Sequence, residues 1–325
     1  MTALLEAKKL VKEFPVRSFL GEKRRLTAVA GVDLELFPGE TLGLAGESGC
    51  GKSTVARLLT GLMPPSEGSI SYAGRDLATL DRRGMAQFRK EVQMIFQDPF
   101  SSLNPRMRVR EILSEPLVIH RIGDERERRE RVAWLMERVG LSPEQLSRSP
   151  HEFSGGQRQR IGIARALAVA PKVIVADEPV SALDLSVQAQ IINLLQEVKE
   201  ELNLSFLFIT HDLSVLRHLS DRIAIMYLGR IVETGSRDQV LESPLHPYTE
   251  ALLSAIPSID PEKRGNRVIA RGELPSPLSP PSGCPFHTRC PYAQKLCGEI
   301  RPELEEKEPG HRAACHFSEK IYRSR

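Results

Sequence analysis

The stretch GESGCGKST, residues 46–54, decides the fold class of this 325-residue chain. It matches the pattern G-x-x-x-x-G-K-[ST], it follows the apolar run ETLGLA (40–45), and residues 52–62 after it read as a helix stopped by two prolines. Glycines in such a strand–loop–helix unit let successive backbone N–H groups face phosphate oxygens. The stretch therefore predicts an α/β fold with a phosphate-binding loop at the end of a buried strand.

Each residue of this loop has an expected role at a bound nucleotide. Lys52 is expected to reach the β- and γ-phosphates, Ser53 to ligate Mg²⁺ and Thr54 to support the α-phosphate. A chance glycine turn is the alternative, and the strand–loop–helix context argues against it. The other loop residues are expected to line the nucleotide: Gly46, Glu47, Ser48, Gly49, Cys50 and Gly51.

Two adjacent carboxylates follow a second apolar run. VIVADEP (173–179) places Asp177 and Glu178 at the carboxyl end of a predicted central strand, where open α/β sheets bind ligands. Asp177 is expected to hold Mg²⁺, directly or through water, and Glu178 to polarise the attacking water. The alternative is an acidic strand end in solvent, but buried paired carboxylates without a cation would repel each other.

Two further polar residues also follow apolar runs. His211 in THDLS (210–214) can hydrogen-bond a γ-phosphate and hold a water in line, and Gln97 in IFQDP (95–99) can contact Mg²⁺ or water and sense the γ-phosphate. A lone histidine is more often structural, and a lone glutamine carries little information. Because the carboxyl ends of parallel strands share one edge of a sheet, these positions favour the functional interpretation.

A second candidate anion site lacks a lysine. FSGGQRQR (153–160) opens a predicted helix with small residues, and free N–H groups at a helix start can bind an anion. A glycine-rich helix start without a ligand is the alternative. The residues expected to contact phosphate here are Ser154, Gly155, Gly156 and Gln157.

The order of these motifs resembles that of the nucleotide-binding subunits of ABC transporters. FSGGQ matches the signature sequence of that family, with phenylalanine where leucine is commoner, and SALD (181–184) stands between the carboxylates and the histidine. The resemblance implies a RecA-like P-loop NTPase core with a small β subdomain over residues 1–98 and 157–240. It also implies a helical signature subdomain over 99–156 and an irregular C-terminal extension over 241–325.

In that family two ATPase domains meet head to tail, with ATP between them. The resemblance therefore implies that the signature residues clamp a nucleotide bound by a partner, whose own loop supplies the lysine. It implies that Phe14 stacks on adenine, with an ordinary core aromatic as the alternative. Asp184 would lie in the loop that joins the two active sites, and residues 97–108 would form the lever toward membrane subunits. The catalytic set is Glu178, His211, Lys52 and Gln97.

The C-terminal segment narrows the resemblance to one group of ABC transporter ATPases. HPYTEALLSAIP (246–257), GELPSP (272–277) and PSGCPFHTRC (281–290) resemble the extension of oligopeptide, dipeptide and nickel importer ATPases, with the F-type subunit of dipeptide and oligopeptide importers the most similar. This resemblance implies ATP-driven import of di- or oligopeptides. The alternatives are nickel or another small solute, a soluble non-transport ABC ATPase, and a regulatory subunit without hydrolysis.

The same resemblance implies a set of partners. These are a second, different ATPase subunit in a heterodimer, two transmembrane permease subunits and, indirectly, an extracytoplasmic solute-binding protein. The charge balance of 45 basic and 42 acidic residues gives no strong reason to expect nucleic acid. No apolar run approaches the ~18–20 residues of a membrane helix, and the start lacks the apolar region of a signal peptide. The expected location is peripheral, on the cytoplasmic face of the membrane.

Four of the five cysteines lie close together in the C-terminal segment. Their spacing, C-x5-C-x6-C-x17-C, is not a standard zinc-ribbon or ferredoxin pattern, although four thiolates can hold either zinc or a cluster. The resemblance favours a [4Fe–4S] cluster. The alternatives are zinc, for which His287, His311 and His316 are further candidate ligands, and free thiols. The four cysteines are Cys284, Cys290, Cys297 and Cys315.

Overall fold

The computed structural model of the chain describes residues 2–17, 23–256, 270 and 272–322. The part of the C-terminal segment between 257 and 269, including the end of the HPY stretch, lies outside the described residues. The strands are β1 Leu5–Arg17, β2 Lys23–Leu36, β3 Thr41–Ala45, β4 Glu67–Tyr72, β5 Arg75–Asp76, β6 Val92–Ile95, β7 Val173–Asp177, β8 Ser205–Thr210, β9 Arg222–Tyr227, β10 Arg230–Ser236, β11 Glu305–Glu308 and β12 His311–Ala313.

Helices of very different length connect these strands. The helices are α1 Lys52–Leu59, α2 Arg82–Glu91, α3 Pro99–Ser102, α4 Val109–Ile119, α5 Glu125–Arg138, α6 Gly155–Leu167, α7 Leu185–Leu202, α8 Leu213–Leu219, α9 Arg237–Glu242, α10 Pro247–Ser254, α11 Lys295–Glu299 and α12 Ser318–Tyr322. Helix α1 ends at Leu59, earlier than the sequence indicates, because Gly61 takes a φ of 67° and ends the helix before the prolines.

The main sheet has the strand order β11-β12-β10-β9-β3-β8-β7-β6. Its five strands from β9 to β6 are parallel, while β10, β12 and β11 are each antiparallel to their neighbour. Ala45 pairs with Thr210 and Asp177 with Ile209, so the loops that follow β3, β7 and β8 leave the sheet at one edge. This edge positions the candidate site.

Both faces of the parallel strands are covered, as their continuous apolar runs predict. Val175 on one face belongs to a buried cluster that includes β1, β2 and α1, and Ile174 on the other face belongs to a cluster that includes α4 to α7. A separate sheet of order β2-β1-β4-β5 forms the small β subdomain. The α/β P-loop architecture is therefore confirmed.

The helical insert packs as its sequence pattern predicts. The Asp124 side chain accepts a hydrogen bond from the Glu127 N–H at 2.9 Å and so caps α5. Val132, Leu135 and Met136 on one side of α5 are buried against α4 and α6. The insert therefore packs on the same face of the main sheet as α6, the helix that begins at the signature residues.

The C-terminal extension is less irregular than its proline content indicates. Residues 272–294 form turns without regular helix or strand, but β12 pairs with β10 through Glu233 and Thr234 and continues the main sheet. The Glu233 carboxylate, fully buried, accepts hydrogen bonds from the N–H groups of Leu245 and His246 at 2.6 and 3.0 Å and lies 2.8 Å from His311 Nε2. The extension is thus joined to the core through buried polar contacts.

Candidate active site

The phosphate loop leaves β3 and enters α1 with an open side. Gly51 has a φ of 110°, and a Cβ there would lie 2.2 Å from the Ala28 carbonyl oxygen, so this position requires glycine. Ser48 and Gly49 at the tip are exposed, and a Cβ at Gly49 would meet no atom within 4 Å. The loop therefore curls against β2 on one side and leaves room for a ligand on the other.

Lys52 lies inside this loop. The side chain is buried, and its Nζ donates to the carbonyl oxygens of Gly46 at 2.7 Å and Glu47 at 3.0 Å. The same Nζ lies 3.7 Å from Glu178 Oε1. A cation held by neutral carbonyl groups at the mouth of a glycine loop is a suitable partner for phosphate oxygens.

The oxygen ligands expected to hold a divalent cation lie close together beside the phosphate loop. Ser53 Oγ donates to Asp177 Oδ1 at 3.0 Å. Burial raises the pKa of the Asp177 carboxyl, and the negative charge of Glu178 adds to this shift, while the Ser53 hydrogen bond opposes it. A hydroxyl and a buried carboxylate are hard oxygen ligands of the kind that Mg²⁺ prefers. The residues present therefore fit the expected metal.

Glu178 is the centre of a group of polar side chains. Its Oε2 accepts a hydrogen bond from Gln97 Nε2 at 3.1 Å and lies 3.3 Å from His211 Nδ1. The Glu178 carboxylate is nearly buried, whereas the His211 side chain is 56% exposed. The structure thus brings together all four residues expected to be catalytic, at the carboxyl ends of β3, β6, β7 and β8.

The remaining residues of the predicted nucleotide site lie around this group. Thr54 is partly buried in the first turn of α1, and Cys50 is buried with its thiol pKa raised by burial, as fits a small packing residue. Phe14, partly buried on β1, pairs with Leu26 of β2, close in register to Ala28, which contacts the phosphate loop. The hairpin that carries Phe14 therefore stands beside the loop.

The signature residues form a capped helix start on an exposed face. Ser154 Oγ accepts from the Gln157 N–H at 3.3 Å, and Gln157 Oε1 accepts from the Ser154 N–H at 3.0 Å. A Cβ on Gly156 would lie 2.4 Å from a methyl carbon of Val187, and Gly155 faces Leu183. The signature thereby packs against the SALD loop and the first turn of α7, where Asp184 is exposed.

Sequence reasoning missed two residues of the extension that contact the phosphate loop. The Arg289 guanidinium binds the Glu47 carboxylate, and the Tyr248 hydroxyl accepts a hydrogen bond from the Glu47 N–H. Tyr248 lies in the HPY stretch that marks the extension, but the contact itself leaves no local pattern. These residues are separated from Glu47 by 242 and 201 positions.

The prediction of an iron–sulfur cluster is wrong. Among the described residues, no three or more His, Cys, Asp or Glu side chains form a group that could hold a metal ion. Burial raises the thiol pKa of Cys284 to about 11 and of Cys290 to about 12, and it also raises that of Cys315. Within the same described residues, Cys284, Cys290, Cys297 and Cys315 are free.

The alternative of zinc with nearby histidines fails for the same reason. His287 Nδ1 lies 2.8 Å from the Cys284 carbonyl oxygen, and His316 Nε2 lies 3.0 Å from that of Ile300. His311 pairs with Glu233 instead. The four cysteines line one small apolar cavity with Phe286 and Phe317. In the part of the chain that the structure describes, no helix has the length and apolarity needed to cross a bilayer.

Comparison with known proteins agrees with this geometry. A family model described as ABC transporter matches residues 29–181, and a second, described as oligopeptide/dipeptide transporter C-terminal region, matches 232–297. The oligopeptide transport ATP-binding protein AppF of Bacillus subtilis is 52% identical over 321 residues, covering 97% of each chain. OppF of Escherichia coli, with the same description, is 52% identical over 309 residues, covering 93% of this chain and 92% of its own.

Solved structures give the same result for the fold. A dimeric structure of the ATP-binding cassette MJ0796, in a post-hydrolysis state bound to ADP and Pi, superposes with a TM-score of 0.65 at 29% identity. It covers 72% of this chain and 98% of that chain. CbiO1 from Clostridium perfringens, part of the transporter complex cbiONQ, superposes with a TM-score of 0.63 at 27% identity, covering 75% of this chain and 92% of its own.

Proposed function

Because this chain belongs to the ABC transporter family as an ATP-binding subunit, we propose that it hydrolyses ATP to drive the import of di- or oligopeptides. The observation that carries the proposal is the convergence of Lys52, Gln97 and His211 on Glu178, within 3.7 Å of its carboxylate oxygens. The match of 232–297 to the peptide-transporter C-terminal region supports peptide as the solute class. The alternatives of nickel transport and of a soluble ATPase have no observation in their favour.

ATP binds in the open side of the phosphate loop. The Lys52 ammonium, now shared by the carbonyl groups of Gly46 and Glu47, turns to the β- and γ-phosphates. N–H groups at the start of α1 face the same oxygens and add the favourable dipole of the helix. Phe14 on the neighbouring hairpin stacks on the adenine ring.

Ser53, Asp177 and Gln97 would hold the metal ion. When bound, Mg²⁺ neutralises charge on the β- and γ-phosphates and so lowers the barrier to attack. The protein contributes fixed positions for these ligands, because Ser53 and Asp177 are already hydrogen-bonded across α1 and β7. Fixed ligands spare the reorganisation that water would need at the moment of reaction.

Glu178 acts on the attacking water. Its nearly buried carboxylate accepts hydrogen bonds and so orients the water toward the γ-phosphorus, while the exposed His211 imidazole hydrogen-bonds the γ-phosphate. Gln97 bonds the same carboxylate and follows β6 into the helical insert. The presence or absence of the γ-phosphate is therefore transmitted from Gln97 into residues 97–108.

We assign the ATPase core to residues 1–98 and 157–240, the helical subdomain to 99–156 and the extension to 241–325. Two such cores meet head to tail, so that the exposed Ser154–Gln157 turn of this chain covers the nucleotide of a second, different ATPase subunit. The helical subdomains dock on two transmembrane permease subunits at the cytoplasmic face of the membrane. An extracytoplasmic binding protein delivers the peptide to those permease subunits.

Peptide uptake and recovery of the complex test this function together. The tagged chain is recovered from detergent-solubilised membranes of its own cells, and its co-purifying proteins are identified. A second ATPase subunit and two polytopic membrane proteins are expected, together with ATP-dependent uptake of labelled di- or oligopeptides in vesicles. Uptake of nickel but not of peptide would show that the transported solute is nickel and would overturn the assignment of peptide. Recovery without membrane proteins would overturn transport.

A further inference from the structure

The extension holds the phosphate loop by one residue of that loop. Arg289 donates from its two terminal nitrogens to the two carboxylate oxygens of Glu47, at 2.7 and 2.9 Å. This two-point contact between a planar guanidinium and a carboxylate is the strongest form of side-chain ion pair. Arg289 is only 9% exposed, so solvent screens the pair less than it screens a surface pair.

The backbone of Glu47 is held as well as its side chain. The Tyr248 hydroxyl accepts from the Glu47 N–H at 2.8 Å, and the Glu47 carbonyl accepts from Lys52 Nζ at 3.0 Å. Three contacts, two of them from the extension, therefore fix Glu47, the second residue of the phosphate loop. The N–H, the carbonyl and the carboxylate of Glu47 thus each have a protein partner in this arrangement.

Tyr248 belongs to a buried aromatic cluster, and Arg289 lies against the same cluster. The rings of Tyr248, Tyr227 and Phe286 lie within 5.4 Å of one another, centroid to centroid, and all three are fully buried. The Arg289 guanidinium lies 5.9 Å from the centroids of Tyr227 and Phe286. Since Tyr227 ends β9 of the core, the cluster gives Arg289 a rigid base that is part of the sheet.

We propose that Arg289, acting through Glu47, is a positioning residue that couples the C-terminal extension to the nucleotide. The proposal rests on the ATPase function stated above. When the Lys52 ammonium turns to phosphate, Glu47 loses the contact at its carbonyl, and Arg289 and Tyr248 keep the start of the loop in place. ATP binding then does not have to supply the free energy that ordering the phosphate loop would cost.

Coupling between two sites is reciprocal. If Arg289 favours the loop shape that binds ATP, then bound ATP favours the arrangement of the extension that holds Glu47. Nucleotide binding is therefore expected to protect residues 284–290 from hydrogen exchange, although these residues do not touch the nucleotide. This readout separates coupling from a purely structural contact, which ATP would leave unchanged.

Steady-state kinetics of the complex with its partner subunits test the proposal. Arg289→Ala is expected to raise the KM for ATP about tenfold with little change in kcat, because a preorganising contact acts before the chemical step. Arg289→Lys keeps the charge but not the two-point contact and should show most of the same effect. Arg312→Ala removes an arginine of β12 that bonds the Leu304 carbonyl, and serves as the matched control.

Glu47→Gln is the second variant, and it decides the result if Arg289→Ala does not fold. It should raise the KM as Arg289→Ala does, and the double variant should be no worse than either single one. In Glu47→Gln, ATP should no longer protect residues 284–290. Additive effects, or a KM equal to that of Arg312→Ala, would overturn the coupling while leaving the ATPase function intact. A wild-type complex that does not hydrolyse ATP would instead overturn the function itself.

Discussion

The carboxylate of Glu178 lies among three polar side chains, and its backbone takes a φ of 45°. A non-glycine residue in this region carries about 1–3 kcal/mol of strain, which the surrounding structure must offset. The Glu178 N–H donates to the Ile209 carbonyl oxygen at 2.9 Å, so β8 fixes the turn that β7 enters. The strained turn holds the Glu178 carboxylate 3.7 Å from Lys52 Nζ, beside the phosphate loop.

Glu178→Gln is expected to keep ATP binding and to lose turnover by about 10²–10⁴-fold. The amide has the shape of the carboxylate and leaves the phosphate loop unchanged, but it cannot polarise water as a base. ATP affinity and phosphate release are measured on the same preparation. Glu200→Gln, an exposed position on α7, is the control and should hydrolyse normally. Normal hydrolysis by Glu178→Gln would remove Glu178 from its role.

His246 makes stability depend on pH. Burial lowers the pKa of its imidazole to about 3, and Nδ1 accepts from the Tyr248 N–H at 3.0 Å. Because the unfolded chain has a histidine pKa near ~6.5, the stability that neutral His246 contributes is present above that pH. It is lost as the pH falls from about 6.5 toward 3, at about 1.4 kcal/mol per pH unit.

His246→Asn is expected to flatten the fall in melting temperature between neutral pH and about pH 5. Asparagine keeps an acceptor at the start of α10 but does not titrate. Thermal denaturation across this pH range measures how steeply the melting temperature falls with pH. A loss of stability that is the same at every pH leaves this slope unchanged. His218→Asn, exposed on α8, should keep the wild-type slope. An unchanged slope in His246→Asn would contradict the buried neutral imidazole.

At the scale of elements, β10 and β12 are joined by more than their backbone ladder. The buried Glu233 carboxylate of β10 accepts from two N–H groups of the segment that leads into α10 and lies 2.8 Å from His311 Nε2 of β12. The pair Glu233–His311 is fully buried, in contrast to the surface ion pairs of α5. This group therefore fixes where the extension returns to the core.

Glu233→Gln is expected to lower the free energy of unfolding by about 3 kcal/mol. The amide nitrogen would face an N–H donor, so at least one buried donor loses its acceptor. Chemical denaturation measures the change, and faster hydrogen exchange at residues 311–313 would locate it. Glu299→Gln, which breaks only an exposed pair with Lys295, is the control and should cost little. Equal stability of both variants would contradict this view.

The sequence predicts some elements well because their cause is local. Strands β7 and β8 follow from the runs VIVA and FLFI, since a strand covered on both faces must be apolar throughout. The glycines of the loop and the Asp124 cap are equally local. The positions of Lys52, Asp177 and Glu178 follow from motif plus strand order, and the structure brings them together.

Other features depend on distant contacts and leave no local pattern. EEKE of β11 is charged like a loop, and it is a strand only because β12 is beside it. The contact of Arg289 with Glu47 joins parts of the chain that no periodicity relates. The prediction of an iron–sulfur cluster came from the family resemblance and not from the cysteine spacing. Among the described residues the four thiols line one cavity, but no group of side chains there could hold a metal ion.

At the scale of the whole molecule, the signature turn and the SALD loop share an exposed face. Ser154 and Asp184 are exposed, and Leu185 beside them is 83% exposed. A helix start with exposed polar residues is suited to an anion. This face is the one that the proposed head-to-tail dimer buries.

Ser154→Arg is expected to leave ATP binding by the isolated chain intact and to abolish most hydrolysis by the assembled complex. The long cationic side chain would fill the space that the partner's γ-phosphate occupies. Equilibrium binding and steady-state hydrolysis are measured side by side. Ser142→Arg changes another exposed helix-capping serine, in the helical insert, and should have no effect on either quantity. Loss of binding in the isolated Ser154→Arg chain would contradict a role in a shared site.

The outermost strand of the main sheet has a consequence for the solubility of shortened chains. In β11, Glu305, Glu306, Lys307 and Glu308 place charge along the margin that would otherwise offer free backbone groups to another molecule. A chain cut before Glu305 loses both β11 and β12 and leaves β10 as the margin. Such a chain would pair edge to edge with its own copies and aggregate. In the full chain, the charged strand β11 therefore opposes edge-to-edge pairing at this margin.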